Sequence, residues 1–255
     1  MTTPVVLITG ALSGIGRATA VAYARQGASL VVSGRHEDAG AQLVKELSGL
    51  GAQAEFVRAD VRFDDDVRNL ADRALDRFGR LDVAVNNAGT EGTPGPITGV
   101  TGEGYAATFD TNVLGVLLSI KHEFRVMQPR GGGSIINVSS AFGRMGFPDL
   151  SLYAGSKHAV IGITKAAALE GAAHGIRVNA IAPGFTHTAM YERVTGNDGA
   201  RNALNSVLPV HRAGTPEEIA EAVLYAGSGK ASYLTGETIT VDGGLMAGWP
   251  IFPAA

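Results

Sequence analysis

The sequence predicts an α/β fold: a doubly wound parallel sheet of about seven strands, with helices on both faces, in a single domain. Three observations predict it. Short apolar runs rich in β-branched residues alternate with longer helical stretches. The first of these runs passes straight into a glycine-rich turn and a helix. No linker or change of composition divides the 255 residues, a length that α/β proteins keep in one domain.

The elements follow in order. The segment PVVLITGALSGIG carries a strand from Val5 to Ile8, then the turn, then a helix. SLVVSG (29–34) is a strand, residues 38–50 a helix, AEFVRA a strand, and residues 64–78 a helix. LDVAVNN reads as a strand before one long helix over about 103–128, and GSIINVS as a strand before a helix over about 151–173. GIRVNAIA and ETITVD supply the last two strands. Residues 187–211 lack a strong period and are expected to form a substrate lid, and an apolar tail, LMAGWPIFPAA, closes the chain at 245–255. Right-handed crossovers then place ligands beyond the carboxyl ends of the strands, at the switch point. NNAG (86–89), INVSS (136–140) and APG (182–184) end the fourth, fifth and sixth strands, so they meet the glycine turn on one edge.

Composition narrows the function classes. The chain is 45% apolar with a net charge of −3 and no run of Lys or Arg, which argues against nucleic acid as the main partner. There are no cysteines, so disulfides, thiol nucleophiles and cysteine metal sites are excluded. The six histidines show no spacing suited to a metal. The opening MTTPVVLITG has no basic leader, and no apolar run is long enough to span a bilayer; a cytoplasmic protein is expected, with no membrane partner.

Two motifs carry chemistry. In TGALSGIG (9–16), Gly10, Gly14 and Gly16 let the backbone approach a pyrophosphate, while the following helix offers unpaired N–H groups and the positive end of its dipole. In YAGSK (153–157), Tyr153 and Lys157 share one helix face at a spacing of four, and Ser140 stands thirteen positions before the tyrosine (153 minus 140). An ammonium about 5 Å from a phenol, at an effective dielectric of about 20, favours phenolate by about two pH units. That moves the phenol towards the range of a general acid/base.

With ADV (59–61), TNVLG (111–115), APGFTHT (182–188) and TGETITVDGG (235–244), eight motifs stand in the order found in short-chain dehydrogenases/reductases. The chain resembles that family over nearly its whole length. The resemblance implies a Rossmann-type domain and an NAD(P)-dependent oxidoreductase acting on a small carbonyl or alcohol. It assigns proton transfer to Tyr153, substrate-oxygen binding to Ser140, ribose binding and phenol activation to Lys157, and a proton-relay water to Asn112. It assigns the pyrophosphate turn to Gly10, Ser13, Gly14, Ile15 and Gly16, and the adenine surround to Asp60 and Val61. Asn87, Ala88 and Gly89 would line the ribose side, and Thr186 and Thr188, after Pro183 and Gly184, would hold the carboxamide.

Cofactor choice is read at the tip of the second strand, where an acid selects a free ribose 2′-OH and a base accommodates a 2′-phosphate. The tip is Ser33, Gly34, Arg35, so NADP(H) is expected, with NAD(H) possible; Glu37 or Asp38 is the acidic alternative. Phe142, Met145, Phe147, Leu150, Phe185, Met190 and Tyr191 are candidates for an apolar substrate pocket suited to a 3-oxoacyl-, steroid- or sugar-like ketone. Arg144 and Arg193 read as surface charges. Small residues on the catalytic helix (Ala154, Gly155, Ala159, Gly162, Ala166, Ala167, Ala168) suggest a helix-packed interface, and relatives commonly form homotetramers there. The alternatives are an idle dinucleotide sensor and a nucleotide-sugar epimerase or dehydratase; the intact Asn112, Ser140, Tyr153, Lys157 set weighs against the first, and the short C-terminal region against the second.

Overall fold

The computed structural model describes residues 3–248, so most of the expected apolar tail, residues 249–255, lies outside the described residues. Alternation of side chains across each strand builds the molecule. In β1 (Val5–Ile8), Val6 and Ile8 enter one core while Val5 and Leu7 enter the other. The same division runs through β4 (Val83–Asn86), where Val83 and Val85 oppose Ala84, and through β5 (Gly133–Val138), where Ile136 and Val138 oppose Ile135. Each large apolar side chain removed from water in these layers contributes about 1.5–3 kcal/mol.

β2 (Ser29–Gly34), β3 (Ala54–Arg58), β6 (Ile176–Pro183) and β7 (Thr238–Val241) complete a seven-stranded sheet of order β3-β2-β1-β4-β5-β6-β7, parallel throughout. The expected class is the observed one. The chain builds outward from β1 to β3, then crosses over to β4, which leaves a switch point between β1 and β4. α1 (Gly14–Arg25), α2 (Glu37–Gly49) and α9 (Pro216–Gly227) cover one face through Tyr23, Leu43, Leu47, Ile219 and Val223. α3 (Asp64–Phe78), α5 (Gly115–Met127) and α6 (Ser151–Ala172) cover the other through Leu70, Val116, Ile120 and Val160.

The long helix expected over 103–128 is interrupted. α4 (Gly102–Phe109) gives way to a π turn at Asp110–Leu114 before α5 begins. Two local demands meet there: Asn112 turns inward to bond the Thr90 backbone, and Gly115 packs so close to Val61 that a Cβ would lie 2.7 Å from its Cγ2. The expected lid segment contains two short helices, α7 (Ala189–Thr195) and α8 (Asp198–Ser206), started by the side-chain caps Thr188 and Asn197. Seven and nine residues are too few to show a clear period. α9 went unread, although its capping box is written in Thr215-Pro216-Glu217-Glu218: Thr215 Oγ1 accepts the Glu218 N–H, and the Glu218 carboxylate accepts the Thr215 N–H.

Candidate active site

The glycine turn and the NNAG loop are knitted into one floor. Thr9 Oγ1 accepts the N–H groups of Asn87 and Ala88, both at 3.1 Å, and Asn87 Nδ2 donates to the carbonyls of Thr9 and Gly10 at 3.0 Å. Close approach explains two glycines. A Cβ on Gly10, at φ +63°, would lie 2.8 Å from Ala88 Cα, and one on Gly16 would lie 2.4 Å from both Asn87 Nδ2 and the Gly10 carbonyl. Ser13 makes no side-chain cap to the first N–H groups of α1, and Ser13, Gly14 and Ile15 line the cleft. This cradle has the donors and the clearance that a pyrophosphate needs. Asn87 itself braces the turn with its side chain.

A cleft of about 750 Å³ runs from the tips of β2 and β3, over this floor, to the ends of β5 and β6. Its outer end is lined by Ser33, Gly34, Arg35, His36, Asp60 and Arg62. A side chain at Gly34 would require Leu12 to move, since its Cδ1 would stand 2.5 Å from the added Cβ. Asp60 is engaged bidentately by Arg62, which holds its carboxyl below the ordinary range. Glu37 and Asp38 sit in the first turn of α2, outside the lining. The outer end therefore presents Arg35 and Arg62, with Asp60 as its acid, held by Arg62 and within the field of Arg35.

At the inner end, Ser140, Tyr153 and Lys157 share the cleft with Pro183, Gly184, Thr186 and Thr188. Lys157 Nζ donates to the Val138 carbonyl at 2.9 Å and stands 5.8 Å from the centre of the Tyr153 ring. Ser140 caps a short turn through the Phe142 N–H and lies beside the phenol, whereas Ser139 Oγ donates to the Lys157 carbonyl and braces α6. Asn112 Oδ1 accepts the Thr90 N–H, while its Nδ2 donates to the Thr90 carbonyl and to Ser156 Oγ. Gly89 lies against both Asn112 and Lys157; a Cβ there would stand 3.3 Å from Asn112 Oδ1 and 3.4 Å from Lys157 Nζ. Thr186 and Thr188 turn their hydroxyls onto the carbonyls of Gly184 and Thr186.

The family model described as enoyl-(acyl carrier protein) reductase matches residues 10–246. The A-factor type gamma-butyrolactone 1′-reductase (1S-forming) of Streptomyces virginiae is 43% identical over 247 residues, covering 96% of each chain. The 3beta-hydroxysteroid dehydrogenase of Mediterraneibacter gnavus is 38% identical, covering 94% of each. The chain belongs to the short-chain dehydrogenase/reductase family. Among solved structures, levodione reductase superposes on this family member with a TM-score of 0.95 at 34% identity, covering 98% of this chain and 100% of the other. A variant of actinorhodin polyketide ketoreductase with NADPH superposes at 0.91 and 33% identity, covering 95% and 97%. The protein is thus an oxidoreductase of a nicotinamide-dependent family. No helix among its described residues is long and apolar enough to cross a membrane.

Burial dominates the electrostatics of this short-chain dehydrogenase/reductase. It pushes the Tyr153 phenol up, the Ser140 hydroxyl draws it back, and the Glu91 carboxylate pushes it up further. Burial also lowers Lys157 to about 8. The lysine amine is turned to the Val138 carbonyl, over the face of the tyrosine ring. Two pocket candidates also move: Met145 and Phe147 do not line the cleft, and Phe147 instead backs Phe142, with ring centres 4.9 Å apart. Phe142 meets Tyr153 and Phe185 edge-on, and Phe185 meets Tyr191, so Phe142, Leu150, Phe185, Met190 and Tyr191 surround an apolar inner chamber. Arg144 bonds Thr240 away from the cleft, while Arg193 lines the cleft and pairs with Glu91. Thr9, Leu12, Arg62 and Glu91 were missed. Thr9 and Leu12 stood inside a recognised motif; Arg62 and Glu91 needed a through-space neighbour to mark them.

Proposed function

We propose that the protein is an NADP(H)-dependent reductase of neutral, apolar ketones that also oxidises the matching secondary alcohols. One observation carries this reading: Tyr153 lies at the inner end of a dinucleotide-sized cleft, between Ser140 and Lys157 and against an aromatic wall. The nicotinamide supplies or accepts the hydride when bound. Tyr153 gives its proton to the carbonyl oxygen, or takes it back from the alcohol, and Ser140 donates a hydrogen bond to the same oxygen. Lys157 holds the ribose hydroxyls and, turned from Val138 towards the phenol, favours phenolate. Asn112 keeps the Thr90 loop and α6 in register and orders the relay water. Gly10, Ser13, Gly14, Ile15 and Gly16 receive the pyrophosphate. Asp60 and Val61 border the adenine, Asn87 to Gly89 the ribose, and Pro183 to Thr188 the carboxamide.

Preference for NADP(H) is supported by Arg35 and by the lack of an acidic side chain at Gly34, and solved relatives hold NADPH and NADP. An apolar substrate is supported by Phe142, Phe185 and Tyr191; the hydroxysteroid named for one relative has the same character. We read residues 187–211 as the lid, the protein as cytoplasmic, and the assembly as a homotetramer. The test is NADPH absorbance with a panel of cyclic ketones, aldehydes and sugars. Net oxidation with apolar ketones is expected. Sugar interconversion without net oxidation would replace this reading with an epimerase, and cofactor binding without turnover would replace it with a sensor.

A further inference from the structure

A chain of buried polar groups runs beneath the cleft, from α6 through two strands to α5, and bonding rules fix its direction. The Val160 carbonyl can only accept, so Thr164 Oγ1 donates to it at 2.8 Å and accepts from Asn137 Nδ2 at 2.9 Å. Asn137 Oδ1 then needs a donor, which is Asn86 Nδ2 at 2.9 Å, and the same nitrogen reaches Glu123 Oε2 at 3.2 Å. Thr164, Asn137, Asn86 and Glu123 are all buried. Two acceptors are left without a partner, Asn86 Oδ1 and Glu123 Oε1. They belong to the two groups already joined, and one proton on Oε1 would satisfy both, since an acid and an amide pair through two parallel bonds.

No cation balances this carboxyl. On its own helix, Lys121 and His122 bond Asp64 of α3, and Arg125 bonds Asp72 of α3. His122 is the next residue along, and sequence neighbours on a helix do not face each other. The other bases of α3, Arg68, Arg73 and Arg77, pair with Asp65 and Glu55. From α6, Lys157 bonds the Val138 carbonyl; from the π turn, Asp110 bears on Arg62; Arg130, after α5, is exposed. β4 and β5 offer only the neutral Asn86 and Asn137, which pair in register. A buried acid with no counter-ion keeps its proton. Burial raises this one to about 8, with the Asn86 bond opposing.

The chain adjoins working groups on both strands. Asn86 precedes Asn87, whose side chain braces the glycine turn at the Thr9 and Gly10 carbonyls. Asn137 precedes Val138, whose carbonyl holds Lys157, and Thr164 follows Lys157 on α6 by seven residues (164 minus 157), about two turns. We propose that Glu123 is carried as the neutral acid, its Oε1–H donating to Asn86 Oδ1, and that this closed acid–amide pair is a positioning device that holds the coenzyme floor to the catalytic helix. The inference rests on the reading of the cleft as a dinucleotide site and is independent of turnover.

Infrared spectroscopy reads the proton directly. At pH 7 the wild type is expected to show the C=O band of a protonated carboxyl, which shifts on carbon-13 labelling of glutamate and is lost in Glu123→Gln. NADPH affinity, by fluorescence titration, is the second readout. Gln offers an N–H where the acid offers its O–H, so Glu123→Gln is expected to match the wild type at pH 7 and to hold that affinity to pH 9. Relative to it, the wild type is expected to weaken about threefold or more over that range, within the limit of about tenfold per pH unit that one proton sets. Glu123→Leu leaves Asn86 unpaired and is expected to bind about tenfold more weakly at both pH values. Absence of the band, or a band that glutamate labelling does not move, would overturn the neutral acid, and needs only the wild type. The same pH dependence in wild type and Glu123→Gln, or full affinity in Glu123→Leu, would overturn its hold on the floor. Results as stated in a protein that reduces no ketone would keep the pair and remove the proposed reductase instead.

Discussion

Tyr153 shows how much of a site depends on direction as well as spacing. The i, i+4 relation of Tyr153 to Lys157 was legible because it follows from the helix period, and Ser140 was read from its spacing of thirteen before the tyrosine. Which way the lysine amine points was not, since Val138 competes for it through space. Gly34 and Arg35 were legible as a pair, but the neighbour of the glycine was not: Leu12 packs over it, 2.5 Å from where a Cβ would stand. At this scale, Arg35→Ala is expected to raise the KM for NADPH about tenfold or more, with little change for NADH, as loss of one charge-assisted phosphate contact implies. Parallel initial-rate measurements with the two cofactors check this, and equal changes for both would assign Arg35 to solvent.

Among the elements, those with a full period were legible and those set by tertiary demands were not. The π turn exists because Asn112 and Gly115 answer to Thr90 and Val61, and no local pattern announces either partner. α5 carries a second hidden feature. Glu123 is buried against the sheet, where its Oε2 accepts from Asn86 Nδ2, which also donates to Asn137 Oδ1. Burial raises the Glu123 carboxyl to about 8, with the Asn86 bond opposing. Its folded value thus lies above its unfolded value, so the stability it contributes is present in acid and lost as pH rises towards about 8. Urea unfolding of the wild type is expected to show stability falling between pH 5 and 8, by up to about 1.4 kcal/mol per pH unit, and Glu123→Gln is expected to flatten that slope. The same slope in the variant would assign the dependence elsewhere.

At the scale of the whole molecule, the doubly wound parallel sheet and the shared edge of its motifs were legible because alternation and right-handed crossovers leave few topologies. The interface was legible only in part. Ala154, Ala167 and Ala168 of α6 turn inward to the protein's own fold, whereas Gly155, Gly162 and Leu169 face out, as do Leu114 and Leu117 of the neighbouring π turn and helix. Exposed apolar side chains on neighbouring elements favour a second copy. Sedimentation at micromolar concentration is expected to show a tetramer, and a stable monomer would contradict it. The arrangement as a whole has one purpose in this account: to bring a phenol, an amine and a dinucleotide to one rim. Single-turnover NADPH oxidation by Tyr153→Phe, measured beside its NADPH affinity, tests that most directly. The account predicts a rate reduced by about 10²–10⁴-fold with affinity nearly unchanged; a variant that keeps the wild-type rate would contradict it.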